Sequence, residues 1–365
     1  MRKQSGTPVV EYQNSNVVEG ENMFNVKKLA VAAAMMLVAG SAFASNFRAA
    51  DQVYVPIAGH AAGGSGTFIS DVFLSNLSTD AVTVTVIYVP LGATSTAQTN
   101  FTPIQLAAGE RKEFVDFFVS ALGLQSGIGQ LIFNACKAGN DCGPATQDQF
   151  GVSPFFRPIS VESRIFSIPP GTTLSQNPPT TGQAFPGFPW YSFVSSDSAT
   201  VGLDKVFITG FRNTGTVGQA GTYRGNIGLV NASQFSNTNL SVKLFNGATG
   251  AQIGAAVPVG LGPLGNTQLN IGTAFPAFTG STATNAYVTV EQVSSTPTSD
   301  SPQTCGTSGC PAFFAYGSVL DNVSGDATTL EAQYTKALTD AAIACIYNPT
   351  SSCKATSGFR RAVKH

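Results

Sequence analysis

The sequence predicts an all-β protein: two tandem antiparallel β-sandwich modules of immunoglobulin-like type, with a short C-terminal helical tail. Three observations carry this expectation. Val82, Val84 and Val86 alternate with Thr83 and Thr85, and Leu240, Val242 and Leu244 alternate with Ser241 and Lys243, the period-two pattern of half-buried strands. The 365 residues include 38 Gly and 20 Pro but only 11% charged residues, which favours strands and turns over charge-laced helices. Finally, the chain matches itself.

The self-match runs in four ordered blocks. GTFISDVFLSN (66–76) aligns without a gap on GTYRGNIGLVN (221–231), with Gly, Thr, Leu and Asn coinciding. VYVPI (53–57) faces VFITG (206–210), VTVTVI (82–87) faces LSVKLF (240–245), and FFRPISVESR (155–164) faces FFAYGSVLDN (313–322). The small changes of offset between blocks are what loop insertions produce. Turn clusters after Asn76 and Asn231 join each alternating strand to the one before it, and a hairpin is expected there. Strands are further expected around 104–118 and 257–271, from LIFNA (131–135) and YVTVEQV (287–293), and over the two FF blocks.

These blocks set the expected boundaries: module one over 50–168, a Pro- and aromatic-rich linker over 169–202, and module two over 203–330. In 331–365, Leu330, Tyr334, Leu338 and Ala341 or Ala342 fall at three-to-four spacing, so a short helix is expected before a basic tail ending at His365. Ahead of module one, Lys27 and Lys28 precede an apolar run over 29–40 and then Ser41-Ala42-Phe43-Ala44, a signal-peptide pattern with cleavage expected after Ala44. Twelve apolar residues reach only about 18 Å as a helix, short of a bilayer core of about 30 Å. Either Met1 or Met23 suits as the start of this 1–44 leader.

The cysteines agree with export to a periplasmic, surface or extracellular location. All six fall in close pairs, Cys136 with Cys142, Cys305 with Cys310 and Cys345 with Cys353, each within a loop rich in turn-forming residues. Local disulfides are the simplest of the possible connectivities, each worth roughly 2–2.6 kcal/mol in the chain-entropy model. Zinc is disfavoured, because its sites want pairs of the form C-x2–4-C or histidine partners, and the only histidines are His60 and His365.

The hairpin pattern with Asn-x-Ser turns, V-x-V-x-[IL] strands and Gly-containing turns resembles the immunoglobulin-like, cell-adhesion-related (CARDB-like) modules of secreted bacterial proteins. That resemblance implies a binding or structural role outside the cell and transfers no catalytic residue.

The residues able to do chemistry point the same way. The net charge of −1 lacks the basic patch that nucleic acid requires. His60 stands in a Gly/Ala-rich segment and reads as a surface-loop histidine, without a recognisable nucleophile elbow or zinc motif. Glu110, Glu113, Asp116, Glu162, Glu291 and Asp321 are the carboxylates to consider for glycoside hydrolysis, and they read as solvated surface groups. Asp321, Asn322 and Asp326 carry oxygens suited to calcium, although such runs most often build turns. Phe185, Phe188, Trp190 and Tyr191 are the strongest ligand-binding candidates, because rings on a proline-stiffened strip stack on sugars or anchor a peptide; the commoner role is packing the linker against its modules. The expectation is therefore a non-enzymatic, cofactor-free structural or adhesive protein with an extracellular protein or glycan as partner. A carbohydrate-binding module pair is the alternative.

Overall fold

Alternation gives every strand two faces, and the side chains that alternate inward determine which sheets pack together. The computed structural model describes residues 49–63, 66–94, 96–147, 153–176, 180–194, 205–212, 223–279, 283, 285–301, 311–322 and 325–335. The leader and the chain after Thr335 lie outside the described residues.

The first half contains β1 (Gln52–Gly63), β2 (Gly66–Asn76), β3 (Val82–Pro90), β4 (Ile104–Leu106), β5 (Arg111–Phe114), the single-turn α1 (Phe117–Ser120), β6 (Gly127–Lys137), β7 (Ile159–Ile168), β8 (Thr181–Pro186) and β9 (Phe188–Pro189). All named pairings are antiparallel. Sheet A runs β5-β2-β7-β8 and sheet B runs β4-β3-β6-β1-β9. Strand β1 belongs to both: it pairs β6 up to His60, with a register shift between Val55 and Ala58, and then pairs β2 over Ala61–Gly63. Val53, Val72, Leu74, Val84, Leu131 and Phe133 fill the space between the sheets, closed by Phe117 and Phe118 of α1.

The second half contains β10 (Lys205–Phe211), β11 (Tyr223–Asn231), β12 (Ser236–Asn246), β13 (Val257–Leu261), β14 (Asn266–Asn270), α2 (Ile271–Ala274), α3 (Pro276–Thr279), β15 (Ala286–Pro297), β16 (Phe313–Asp321), β17 (Ala327–Glu331) and β18 (Gln333–Thr335). It repeats the pairing scheme, except that no described pairing of β10 with β11 matches that of β1 with β2, and the two FF blocks are not equivalent: Ile159 pairs Asn76 where Phe313 pairs Asn231, so Phe155 and Phe156 precede the strand. Strand β10 pairs β15 and β18 as β1 pairs β6 and β9; β11 pairs β14 and β16 as β2 pairs β5 and β7. Likewise β12 pairs β13 and β15 as β3 pairs β4 and β6, and β16 pairs β17 as β7 pairs β8. Sheet C (β14-β11-β16-β17) thus corresponds to sheet A, and sheet D (β13-β12-β15-β10-β18) to sheet B.

The expected hairpins after Asn76 and Asn231 are not hairpins. Strands β2 and β3 lie in opposite sheets, as do β11 and β12, so each turn crosses the sandwich. A buried asparagine builds each crossing. Asn76 Nδ2 donates to the carbonyls of Asp80 and Ala107 at 2.7 and 2.8 Å, while its Oδ1 accepts from Ser78 N at 2.9 Å. Asn231 Nδ2 donates to Ser236 and Gly262 at 2.8 Å each, and its Oδ1 accepts from Ser233 N at 3.0 Å. The amide satisfies the carbonyls of two different connections, so the chain leaves its sheet instead of folding back on it.

Two further expectations need correction. In place of the expected linker, residues 181–189 form β8 on β7 and β9 on β1. At the expected start of the tail helix, Leu330 lies in β17 and Tyr334 in β18 on β10, because the 330–335 stretch extends two sheets. The two halves pack together: residues from Phe47 onward form one compact unit.

Of the three expected disulfides, the structure describes one. Cys136 and Cys142 are bonded, with Cα atoms 5.9 Å apart. The bond expected between Cys305 and Cys310 falls outside the described residues, and so does the bond expected between Cys345 and Cys353. Asp80 ties the Cys136–Cys142 loop to the sandwich through Lys137 Nζ at 3.0 Å and Arg157 Nε at 2.7 Å, and these hydrogen bonds hold its carboxyl below the usual carboxylate range.

Candidate functional site

The outward side chains of sheet B meet those of sheet C, and strand β8 of sheet A reaches the same layer through Gln183 and Phe185. Tyr54, Ile87, Val89 and Ile132 of sheet B form one cluster with Val230, Phe314 and Tyr316 of sheet C. Phe188 and Phe193 enter the same layer. Phe314 stacks with both, their ring centres each 5.0 Å away at 20° and 14°, and meets Tyr54 edge-on at 5.9 Å. Tyr316 lies against Phe185 edge-on at 5.4 Å and covers Gly228, where any Cβ would overlap its ring. Glycine is therefore required on β11 to admit the ring.

Polar groups fix the alignment of the halves. Gln130 Nε2 donates to Leu264 O at 2.7 Å, Asn266 Nδ2 to Pro90 O at 3.2 Å, and Ser318 Oγ to Gln183 Oε1 at 2.8 Å. Gly92 and Asn266 exchange backbone hydrogen bonds of 2.9 and 2.8 Å, which extends the edge of sheet C onto the first half. A crevice of about 20 Å³, lined by Phe188, Val206, Phe314 and Glu331 among others, opens at this junction; it has room for roughly one water.

The ring candidates of 185–191 divide accordingly. Phe185 and Phe188 are 2% and 7% exposed, so the junction occupies them and they present no platform to a ligand. Trp190 packs on both neighbouring clusters and donates from Nε1 to Asp51 at 2.8 Å. Tyr191 falls in the single turn Trp190–Ser192. Packing, the commoner role for such a strip, describes Phe185, Phe188 and Trp190.

Burial also acts on Tyr316. Its hydroxyl accepts from Gln268 Nε2 at 2.8 Å, yet removal from water pushes its phenol well above the ordinary value. In the unfolded chain the same phenol ionises near pH 10. Its stabilising contribution is complete below that pH and is lost as pH rises through the folded value, because only the unfolded form releases the proton easily. Denaturant titrations should show stability falling above about pH 10, and Tyr316→Phe should remove part of that fall; an unchanged slope would count against it.

His60 is not on a loop. It lies in β1, and its Nδ1 meets both carboxylate oxygens of Asp116, at 2.9 and 3.1 Å. Asp116 adopts left-handed backbone (φ 48), and its N–H donates to Asp71 Oδ1 at 3.0 Å. Burial raises the Asp71 carboxyl above its usual range against that stabilising N–H. The second half builds the same corner from amides: Asn270 accepts from Thr273 N at 3.1 Å and its Nδ2 approaches Asn226 Oδ1 at 3.5 Å. No local sequence signal joins His60 to Asp116, which lie 56 residues apart.

The other carboxylates are scattered. Glu110 accepts from Ala107 N, and that hydrogen bond lowers its carboxyl. Glu113 and Glu162 flank Phe73 across sheet A, while Glu291 sits between Lys205 at 3.8 Å and Lys243 at 3.6 Å on sheet D. Asp321 and Asp326 close the β16–β17 turn through Asp321 N to Asp326 O at 2.8 Å, and Asn322 lies within it. Among the described residues no three His, Cys, Asp or Glu side chains group as metal ligands, and no helix is long and apolar enough to cross a membrane.

Three further rings gather where no site residue was expected. On the outward side of sheet D, Phe245 stacks on Tyr287 at 5.0 Å and 11°, with Phe207 beyond Tyr287 at 6.5 Å; all three rings are partly exposed. Each occupies the polar phase of an alternating strand, a signal visible in VFITG and LSVKLF. Compared with known proteins, the chain matches no protein-family model and no curated sequence.

Proposed function

We propose that this is an exported, non-catalytic structural or adhesive protein of the cell envelope or extracellular space, acting through the broad outer faces of sheets A and D. The observation that carries the reading is the packed aromatic junction between halves. It makes a stiff block whose recognition surface is sheet rather than cleft. The bonded Cys136–Cys142 pair and the leader pattern support an oxidising destination. The amide version of the His60 corner in the second half supports a scaffolding role for Asp71 and Asp116. A glycan platform built on Phe185 and Phe188 loses its rings to the junction.

Fractionation of the producing cell tests the proposal. The protein should be recovered outside the cytoplasm with Ser45 at its N-terminus, and Cys136 and Cys142 should resist alkylation until reduced. A cytoplasmic pool with the leader intact and free thiols would overturn it.

A further inference from the structure

Phe207, one of the three rings on the outer side of sheet D, has a covered counterpart. VYVPI faces VFITG, so Tyr54 of sheet B holds the place of Phe207. Tyr54 pairs Phe188 of β9 as Phe207 pairs Gln333 of β18, and Val53 pairs Pro189 as Val206 pairs Tyr334. After β9 the chain turns through Trp190–Ser192 onto the outer side of sheet B. There Phe193, four residues past Pro189, meets Tyr54 edge-on at 4.6 Å and is 3% exposed. Four residues past Tyr334 stands Leu338. Leu338 therefore holds the place in the second half that Phe193 holds in the first.

The sequence after Thr335 suits such a cover. Leu338, Ala342 and Ile346 recur at a spacing of four with Ala341 beside them, the apolar stripe of a helix. Of residues 338–347 only Thr339 and Asp340 are polar, so this stretch gains by leaving water. From Leu338 to Ile346 a helix rises about 12 Å. Phe207 aligns with Thr289 and Thr289 with Lys243, and Phe245 lies two residues beyond Lys243. Two strand spacings and two residue steps put Phe245 about 12 Å from Phe207, the length of that stripe. Charge agrees as well. Lys205 and Lys243 both approach Glu291, at 3.8 and 3.6 Å, which leaves one base in excess, and Asp340 is the only acid in 336–365.

From the covered counterpart and this match of length and charge, we infer that residues 338–347 of the same chain lie across Phe207, Tyr287 and Phe245 and shield them from solvent. The tether favours this occupant over a separate molecule, because a short connection to β18 holds it at an effective concentration on the order of millimolar. The inference narrows the outer-face reading above and does not depend on export. On sheet D it leaves to a partner the exposed pairs Asn237 with Thr296 and Asn239 with Ser294, beyond the rings.

Photo-cross-linking in the full, oxidised chain is the test, with p-benzoylphenylalanine in place of Phe207. Irradiation at about 1 μM keeps weak association between molecules negligible. After reduction, alkylation and trypsin, the expected result is peptide 206–212 joined to peptide 337–354, formed within a monomer. Leu338→Asp should abolish that cross-link and raise the fluorescence of a dye that binds exposed apolar surface, while the circular-dichroism spectrum of the strands stays native. A cross-linked dimer would assign the rings to a second copy, and reaction with any other peptide would assign them to another part of the chain. Each of these overturns the inference, as does a cross-link that survives Leu338→Asp or the absence of any cross-link. Fractionation and N-terminal sequencing do not depend on any of these outcomes.

Discussion

Phe314→Ala should cost about 3–5 kcal/mol and lower the melting temperature by roughly 10 °C in a protein of this size. Phe314 is 3% exposed and stacked against two rings, so truncation empties a slot that three rings from earlier in the chain line. The loss should act on both halves together. Calorimetry of the native protein should give a single transition whose van't Hoff and calorimetric enthalpies agree, with Phe314→Ala shifting that transition whole. Two separable transitions in the native protein would mean that the junction does not couple the halves. Val293→Ala, at a site 52% exposed, is the matched control and should change stability by less than about 0.5 kcal/mol.

The second large effect concerns the crossing asparagines. Asn76→Ala and Asn231→Ala should each destabilise by about 2–3 kcal/mol, because each removes two donations to carbonyls and the acceptor of a backbone N–H from a buried site, although Asp80, Ala107 and Gly262 each keep one other donor. The two positions do the same job, so their effects should match within the spread of single-site measurements. Asn76→Asp keeps the acceptor for Ser78 N but loses both donations, and should recover only a minor share. A near-neutral Asn76→Ala in urea titration would show that the crossing is held by the strands rather than by the amide.

Much of the β-structure was legible because alternation is a local signal. VTVTVI and LSVKLF became β3 and β12, with their valines and leucines inward. Pairing was not legible in the same way. Whether the chain folds back or crosses after Asn76 depends on which carbonyls the amide reaches, and Ala107 lies 31 residues away. Prolines in 169–202 suggested a linker, yet Gln183 and Phe185 are buried on either side of exposed Ala184, the same period-two pattern carried by only six residues. The helical spacing of Leu330 and Tyr334 misled because those residues lie in separate short strands. The outward rings of sheet D were visible as aromatics in polar phase, but their adjacency needed three strands in register. The His60–Asp116 contact needed the folded chain.

Each half begins and ends on neighbouring strands: Val53 lies opposite Pro189, and Lys205 opposite Thr335. Because these neighbours run antiparallel, the chain enters and leaves a half from the same side. A tensile load applied at those two points would therefore peel β9 from β1, and β18 from β10, one hydrogen bond at a time, whereas strands loaded in shear share the force across all their bonds. Resistance to pulling in this protein must come from how its layers are clamped face to face, and an assembly loaded across its sheets would be far stronger than one loaded through its chain ends.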